Sequence, residues 1–156
     1  MGSLSVHFKL LACDLLSLVN HRTTPPTFSR NSTPVSCVET LGVVVSRQRR
    51  EQFLKFLVDD GSGCVPCVLW LNHYSLGRKR WREPSDLDIK AGMALEQAEM
   101  VRLGEVVRVR GRVGVYREEM QVTVRDVVVE RDPNAEVLFW LECIRLAREC
   151  YDLGPL

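Results

Sequence analysis

Three clusters in this 156-residue sequence combine side chains that could do chemistry. Cys64 and Cys67 form a CxxC, a spacing used by metal-thiolate and redox sites. Neither use finds its companions: Cys143 and Cys150 lie seven apart on an expected helix, and His7, His21 and His73 are scattered, so no four-ligand metal set assembles. The pair reads as strand packing. Asp59 and Asp60 are poor as an acid and base, because neighbours on a turn point to opposite faces, and no Ser/His/Asp or Cys/His set accompanies them. Turn formation is their expected role, and no catalytic residue is assigned. The third cluster differs in kind. Lys55, Trp70, Asn72, Arg110, Arg112, Tyr116 and Arg117 supply cations for phosphates and rings on which bases stack, the combination that holds single-stranded nucleic acid. Read as residues alone, the same set is equally a core tryptophan and a solvated arginine face.

Those side chains need a sheet to bring them together. Residues 53–58 and 64–71 are apolar runs around Asp59-Asp60-Gly61-Ser62-Gly63, and Asp-Gly suits a tight turn, so residues 52–71 predict a β-hairpin. Apolar residues on both parities of the second run leave neither face plainly to solvent, as in a closed or covered sheet. Residues 35–47 are β-branched and predict a preceding strand, with Gly42 as its bulge or bend. Residues 106–116 alternate cleanly: Val107, Val109, Gly111, Val113 and Val115 on one face, Arg108, Arg110, Arg112, Gly114 and Tyr116 on the other. After a turn at residues 117–119, residues 121–129 resume a strand. Leu87, Ala91, Leu95, Ala98 and Val101 recur at helical spacing between the third and fourth strands, and the helix ends at Leu103-Gly104. Asp132-Pro133 opens a last helix over residues 133–153.

Strand, strand, strand, helix, strand, strand, helix predicts a mainly β protein: a five-stranded Greek-key OB-fold barrel that binds oligonucleotides across strands 2 and 3 and the loops 1–2 and 4–5. Those loops are residues 47–51 and 117–120. Residues 35–131 form the barrel and 132–156 a C-terminal helix for assembly. Residues 1–34 are an N-terminal extension, whose apolar segment 8–18 is a strand or helix covering the core and whose segment 20–34 has loop composition.

With 21 basic and 20 acidic residues the charge is +1, so any anion-binding surface comes from local clustering. No run approaches the roughly 20 apolar residues of a membrane span and no secretory leader is evident, so the expectation is a soluble, non-secreted protein, without cofactor. Six cysteines, several inside apolar runs, fit a reducing compartment. The run Arg78-Lys79-Arg80-Trp81-Arg82 holds four cations in five residues and is expected as an exposed loop that serves DNA electrostatics, nuclear import or neither.

The blocks VETLGVVVSRQ, FLKFLVDDGSGCVPCVLWLN, VVRVRGRVGVYREEMQ and the terminal DP…CYD resemble the Stn subunit of the CST telomere-capping complex, itself similar to the middle subunit of replication protein A. The resemblance runs from Phe8 to Asp152. It implies a non-enzymatic nuclear protein at telomeres, with Trp70 and Tyr116 contacting single-stranded DNA; Gly114 stands where some relatives have arginine. It also implies a large CST subunit as partner, and a short form in which the winged-helix domains of other members do not follow. An OB-fold scaffold that assembles partners with little DNA contact is the alternative, and a tRNA-binding module a third reading.

The last helix bears on that choice. Glu142, Arg145, Arg148, Glu149 and Asp152 share one side, leaving an apolar arc wider than the stripe of about 100° that one barrel covers. Val137, Trp140, Leu141, Ile144, Ala147 and Tyr151 are therefore the expected partner surface. The resemblance implies that a helix of the small OB-fold Ten subunit packs there; the competing account has the helix plug its own barrel.

Overall fold

The structure is a computed structural model that describes residues 7–71 and 86–152. Among these residues, nine strands and three helices follow in order: β1 (His7–Lys9), α1 (Ala12–Leu16), β2 (Val19–Asn20), β3 (Phe28–Arg30), β4 (Thr33–Val35), β5 (Cys37–Arg49), β6 (Phe53–Asp59), β7 (Cys64–Trp70), α2 (Asp86–Met100), β8 (Val106–Tyr116), β9 (Glu119–Val129) and α3 (Ala135–Leu146), the last continued by a π-helical turn, Ala147–Tyr151.

β5 is long enough to serve two neighbours. Its first half pairs with β8 (Cys37 with Arg112 through Val43 with Val106) and its second with β6 (Val43 with Asp59 through Arg49 with Leu54). β7 then pairs with β9 in parallel, and β9 with β8, so the order β5-β6-β7-β9-β8 returns to β5 and closes a five-stranded barrel. This is the expected OB-fold. Strand alternation fills it: Leu54, Phe56 and Val58 from β6, Val65, Cys67 and Leu69 from β7, and Val107, Val109 and Val113 from β8 are all buried in one core. Cys67 belongs to that core, where burial pushes its thiol pKa upward, while Cys64 is exposed. Ala98 and Val101 from the end of α2 enter the same core, and Arg47 caps that end, with Nε and Nη2 donating to the carbonyls of Val101 and Ala98 at 2.7 and 3.2 Å. Of the expected α2 stripe, Leu95 is exposed and Ala94 packs inward in its place. Arg78–Arg82 lie outside the described residues.

Three expectations are corrected. Residues 20–34 are not all loop: β2, β3 and β4 form a small antiparallel sheet that buries Phe28 and Val35, with strands too short for their polar composition to reveal. Gly42 is not the bulge of β5, which falls between Val44 and Ser46; at Gly42 a Cβ would lie 2.4 Å from the Asp59 carbonyl oxygen, so close strand approach is what requires glycine. The last helix begins at Ala135, not Pro133, because Asp132 accepts from the N–H of Asn134 at 2.9 Å and of Ala135 at 3.1 Å in a turn that precedes it.

The N-terminal segment is integral to the barrel. β1 adds to β5 in parallel, and Leu10, Ala12 and Leu15 lie in the main core.

Candidate nucleic-acid interface

The hairpin register decides which outward side chains meet. Phe53 faces Trp70 and Lys55 faces Val68 across β6 and β7. Trp70 is half exposed, its ring 5.5 Å from that of Phe53 at 63°, an edge contact between the two rings. Val68 is buried beneath, so the outer face of β7 is a floor with an aromatic wall. The β8–β9 turn supplies the opposite wall. Arg117 and Glu118 both adopt positive φ, 51° and 66°, the geometry of a two-residue hairpin turn usually filled by Asn-Gly. The strained pair sets the Arg117 guanidinium over the Tyr116 ring, 5.3 Å from its centroid.

Lys55, Trp70, Tyr116 and Arg117 thus border one concavity of about 360 Å³, together with Gln48, Arg50, Phe53 and Gln121. Gln48 and Arg50 come from the expected binding loop, residues 47–51, whereas Phe53 and Gln121 were not singled out from sequence; β-strand parity with Lys55 was the signal for Phe53. Among the described residues, no carboxylate lines the groove. Exposed rings and cations around an open trough suit stacked bases and a phosphate chain.

The other expected residues lie elsewhere. Arg110 bonds through Nε to Glu39, and Arg108 through Nη1 to the same carboxylate at 3.1 Å and through Nε to Glu130 at 2.9 Å. Lys9 adds a third cation at 3.7 Å. Burial alone would raise the Glu39 pKa, but the Arg110 hydrogen bond and charge, then Arg108 and Lys9, hold it below the ordinary carboxylate value. Period two placed these arginines on an outer face correctly; it could not show that a buried acid on β5 engages two of them. Arg112 lines a separate cleft, and Asn72 lies outside the described residues.

On α3, Ala135, Phe139 and Cys143 are buried against the barrel, with the Cys143 thiol pushed up to about 12 by burial and by the charges of Asp60 and Glu142. Val137, Leu138, Leu141 and Ile144 form an opposite stripe, each between 43 and 62% exposed. Trp140 departs from the expected surface: it is half-buried, its indole N–H donating to the Asp60 carbonyl at 2.8 Å. Tyr151 also turns inward, its ring 4.9 Å from Phe8 and its hydroxyl accepting from the N–H of Lys9 at 3.2 Å. Ala147 is partly buried at the start of the π turn. One face of α3 therefore rests on its own barrel while another stays uncovered by the described residues, which is why its apolar arc is so wide.

The family of OB-fold nucleic acid binding domains matches residues 38–130. The CST complex subunit STN1 of Arabidopsis thaliana is 48% identical over 149 residues, covering 94% of this chain and 92% of the relative. The CST complex subunit STN1 of Homo sapiens is 30% identical over 153 residues, a match that takes in 92% of this chain but spans 41% of the relative. Among solved structures, the S. pombe Stn1-Ten1 complex aligns with a TM-score of 0.76 at 19% identity, covering 96% of each chain. A replication protein A heterotrimer bound to ssDNA aligns with a TM-score of 0.70 at 14% identity, covering 92% of this chain and 97% of the other. At these identities the structural likeness is one of fold.

Proposed function

The chain belongs to the family of CST complex STN1 subunits, with an OB-fold nucleic-acid-binding domain, and from that membership we propose that it is the single-stranded-DNA-binding subunit of a heteromeric telomere-capping complex in the nucleus. Its relatives are subunits of a complex, not enzymes. The observation that carries the DNA-binding reading is the groove between Trp70 and Tyr116, with Lys55 and Arg117 at its borders. Bases stack on the rings and phosphates meet the cations. The exposed α3 stripe takes a small OB-fold subunit of the Ten1 kind, a reading supported by the fold shared with a chain of the S. pombe Stn1-Ten1 complex, and a large CST subunit completes the assembly.

Anisotropy titration of the full chain with single-stranded DNA tests the groove. Trp70→Ala with Tyr116→Ala should lose on the order of 2 to 5 kcal/mol if both stack. Unchanged affinity in the folded double mutant would refute the site. Competition with RNA of the same sequence separates DNA from tRNA-like ligands.

A second reading, a scaffold with little DNA contact, is favoured by the engagement of Arg108 and Arg110 with Glu39, which draws cations of the basic strand into an intramolecular network. Partner capture without measurable oligonucleotide binding would establish it.

A further inference from the structure

Beyond the groove, the outer face of β8 and β9 leads into a second concavity of about 590 Å³, whose lining includes Ser36, Arg112, Thr123 and Arg125 and, among the described residues, no carboxylate. A β-bulge shapes it. Arg110 pairs with Asp126 but Gly111 with Val124, so Arg125 is the extra residue of β9. Val122, Val124 and Val127 are buried, so the inward parity changes across the bulge, and Arg125 is turned outward into the cleft that Arg112 lines. The strands approach so closely here that a Cβ at Gly111 would lie 2.2 Å from the Thr123 carbonyl oxygen.

Strands β8 and β9 run from one concavity to the other. Tyr116, Gly114 and Arg112 follow one another on the outward face of β8, with Gly114 opposite Gln121 and Arg112 opposite Thr123 on β9. Gln121 lines the groove and Thr123 the cleft. Between them Gly114 raises no wall, since even an added Cβ there would come no nearer than 4.0 Å to the Thr123 Oγ1. Four residue rises of strand carry Arg112 to Tyr116, about 13 Å, a span of roughly two to four nucleotides.

We infer that this cleft is a phosphate subsite that holds the backbone of the strand as it leaves the groove, with the Arg112 guanidinium as its anchor and the Ser36 and Thr123 hydroxyls as further donors. A guanidinium and two hydroxyls, with no carboxylate among the described lining residues, are the donor set of an oxyanion site. None of its described lining residues is aromatic, so it positions backbone and reads no base. The subsite presupposes that the groove binds single-stranded DNA, and it makes the chain's binding site longer than the groove.

Oligothymidylates of graded length, from about 4 to about 16 nucleotides, titrated against the full chain by anisotropy, test it. Arg112→Ala should leave the affinity for the shortest binding oligonucleotide unchanged and remove the gain that wild type shows with longer ones. Its salt slope on the long oligonucleotide should fall by about 0.7 for each phosphate no longer neutralised, and Arg112→Lys should restore part of the gain. Trp70→Ala should weaken every length. If Arg112→Ala binds all lengths like wild type while Trp70→Ala does not, the subsite is wrong and the groove stands; if wild type binds no length, both fall. Inorganic phosphate or an acidic peptide, at matched ionic strength, should not erase the length-dependent gain. Erasure by either would assign the cleft to a free anion or a protein ligand and overturn the inference.

Discussion

The indole nitrogen of Trp140 lies 2.8 Å from the carbonyl oxygen of Asp60, and the carboxylate of the same Asp60 accepts the N–H of Ala12 at 2.7 Å. One residue of the β6–β7 turn thus fastens both α1 and α3 to the barrel. Trp140 is an anchor on this geometry, whereas Leu141 and Ile144 face outward. Trp140→Ala should therefore cost about 3 kcal/mol by thermal unfolding, near the low end for buried aromatics because the ring is half-covered. Leu141→Asp with Ile144→Asp should stay within about 0.5 kcal/mol of the parent per site yet abolish capture of the small partner in a pull-down. A folded Leu141/Ile144 variant that captures the partner at full affinity would place that interface elsewhere.

The Asp60 side chain does more than shape its own turn: Oδ1 accepts from the N–H of Ser62 at 2.8 Å and from its hydroxyl at 2.6 Å, while Oδ2 caps α1. Asp60→Ala should cost about 1 to 2 kcal/mol, as loss of an N-cap does, and Asp60→Asn less, since it keeps an acceptor oxygen. Equal losses in the two variants, measured by chemical denaturation, would argue against the cap.

Acid should loosen the β1–β5–β8 wall. The folded-state pKa of Glu39 is depressed, so the unfolded chain binds the proton more readily; the stabilisation is complete above the ordinary value of 4.5 and is lost as pH falls through the folded-state pKa. Glu39→Gln should flatten that part of the melting temperature against pH and cost about 1 to 3 kcal/mol at neutral pH by weakening the charge-assisted hydrogen bonds to Arg110 and Arg108, which keep solvent and Glu130 as partners. A wild-type profile parallel to that of Glu39→Gln would rule the effect out.

The Arg117-Glu118 turn holds two side chains in a left-handed conformation that costs each about 1 kcal/mol or more. Glu118→Gly should raise stability by about 1 kcal/mol with nucleic-acid affinity retained. Arg117→Asn should also relieve strain but weaken binding, since the guanidinium beside Tyr116 is removed. Denaturant midpoints and titrations on the same two proteins would show whether stability and binding separate in this way.

Gly42→Ala and Gly111→Ala bring a methyl group to within 2.4 and 2.2 Å of carbonyl oxygens of Asp59 and Thr123. Backbone must shift in each case, so each should lose about 1 to 3 kcal/mol, whereas Gly92→Ala, inside α2 with no described atom within 4 Å of the added Cβ, should gain about 0.5 to 1 kcal/mol. Chemical denaturation of the three variants checks the order.

Most of the barrel was legible in the sequence because its signals are local. Period-two alternation over residues 106–116 and the Asp60-Gly61 turn depend on neighbours a few positions apart, and the observed β8 and hairpin follow them closely. The outward placing of Tyr116 was legible for the same reason; that of Trp70 was not, since apolar residues on both parities of its strand left core and surface equally open. What the arginines of β8 face was not. Glu39 reads as one polar residue in a β-branched strand, and only closure of the barrel brings β5 beside β8, burying the carboxylate so that it draws Arg110 and Arg108 to itself and leaves Arg112 to another cleft. Trp140 and Tyr151 behave alike on α3 and the turn that continues it: helical spacing counts them with Leu141 and Ile144, but the turn at Asp60 and the strand at Phe8, both distant in sequence, decide which of these apolar side chains are covered. Periodicity reports which face a side chain takes; its partner across that face is a matter of long-range packing, which only the tertiary structure decides.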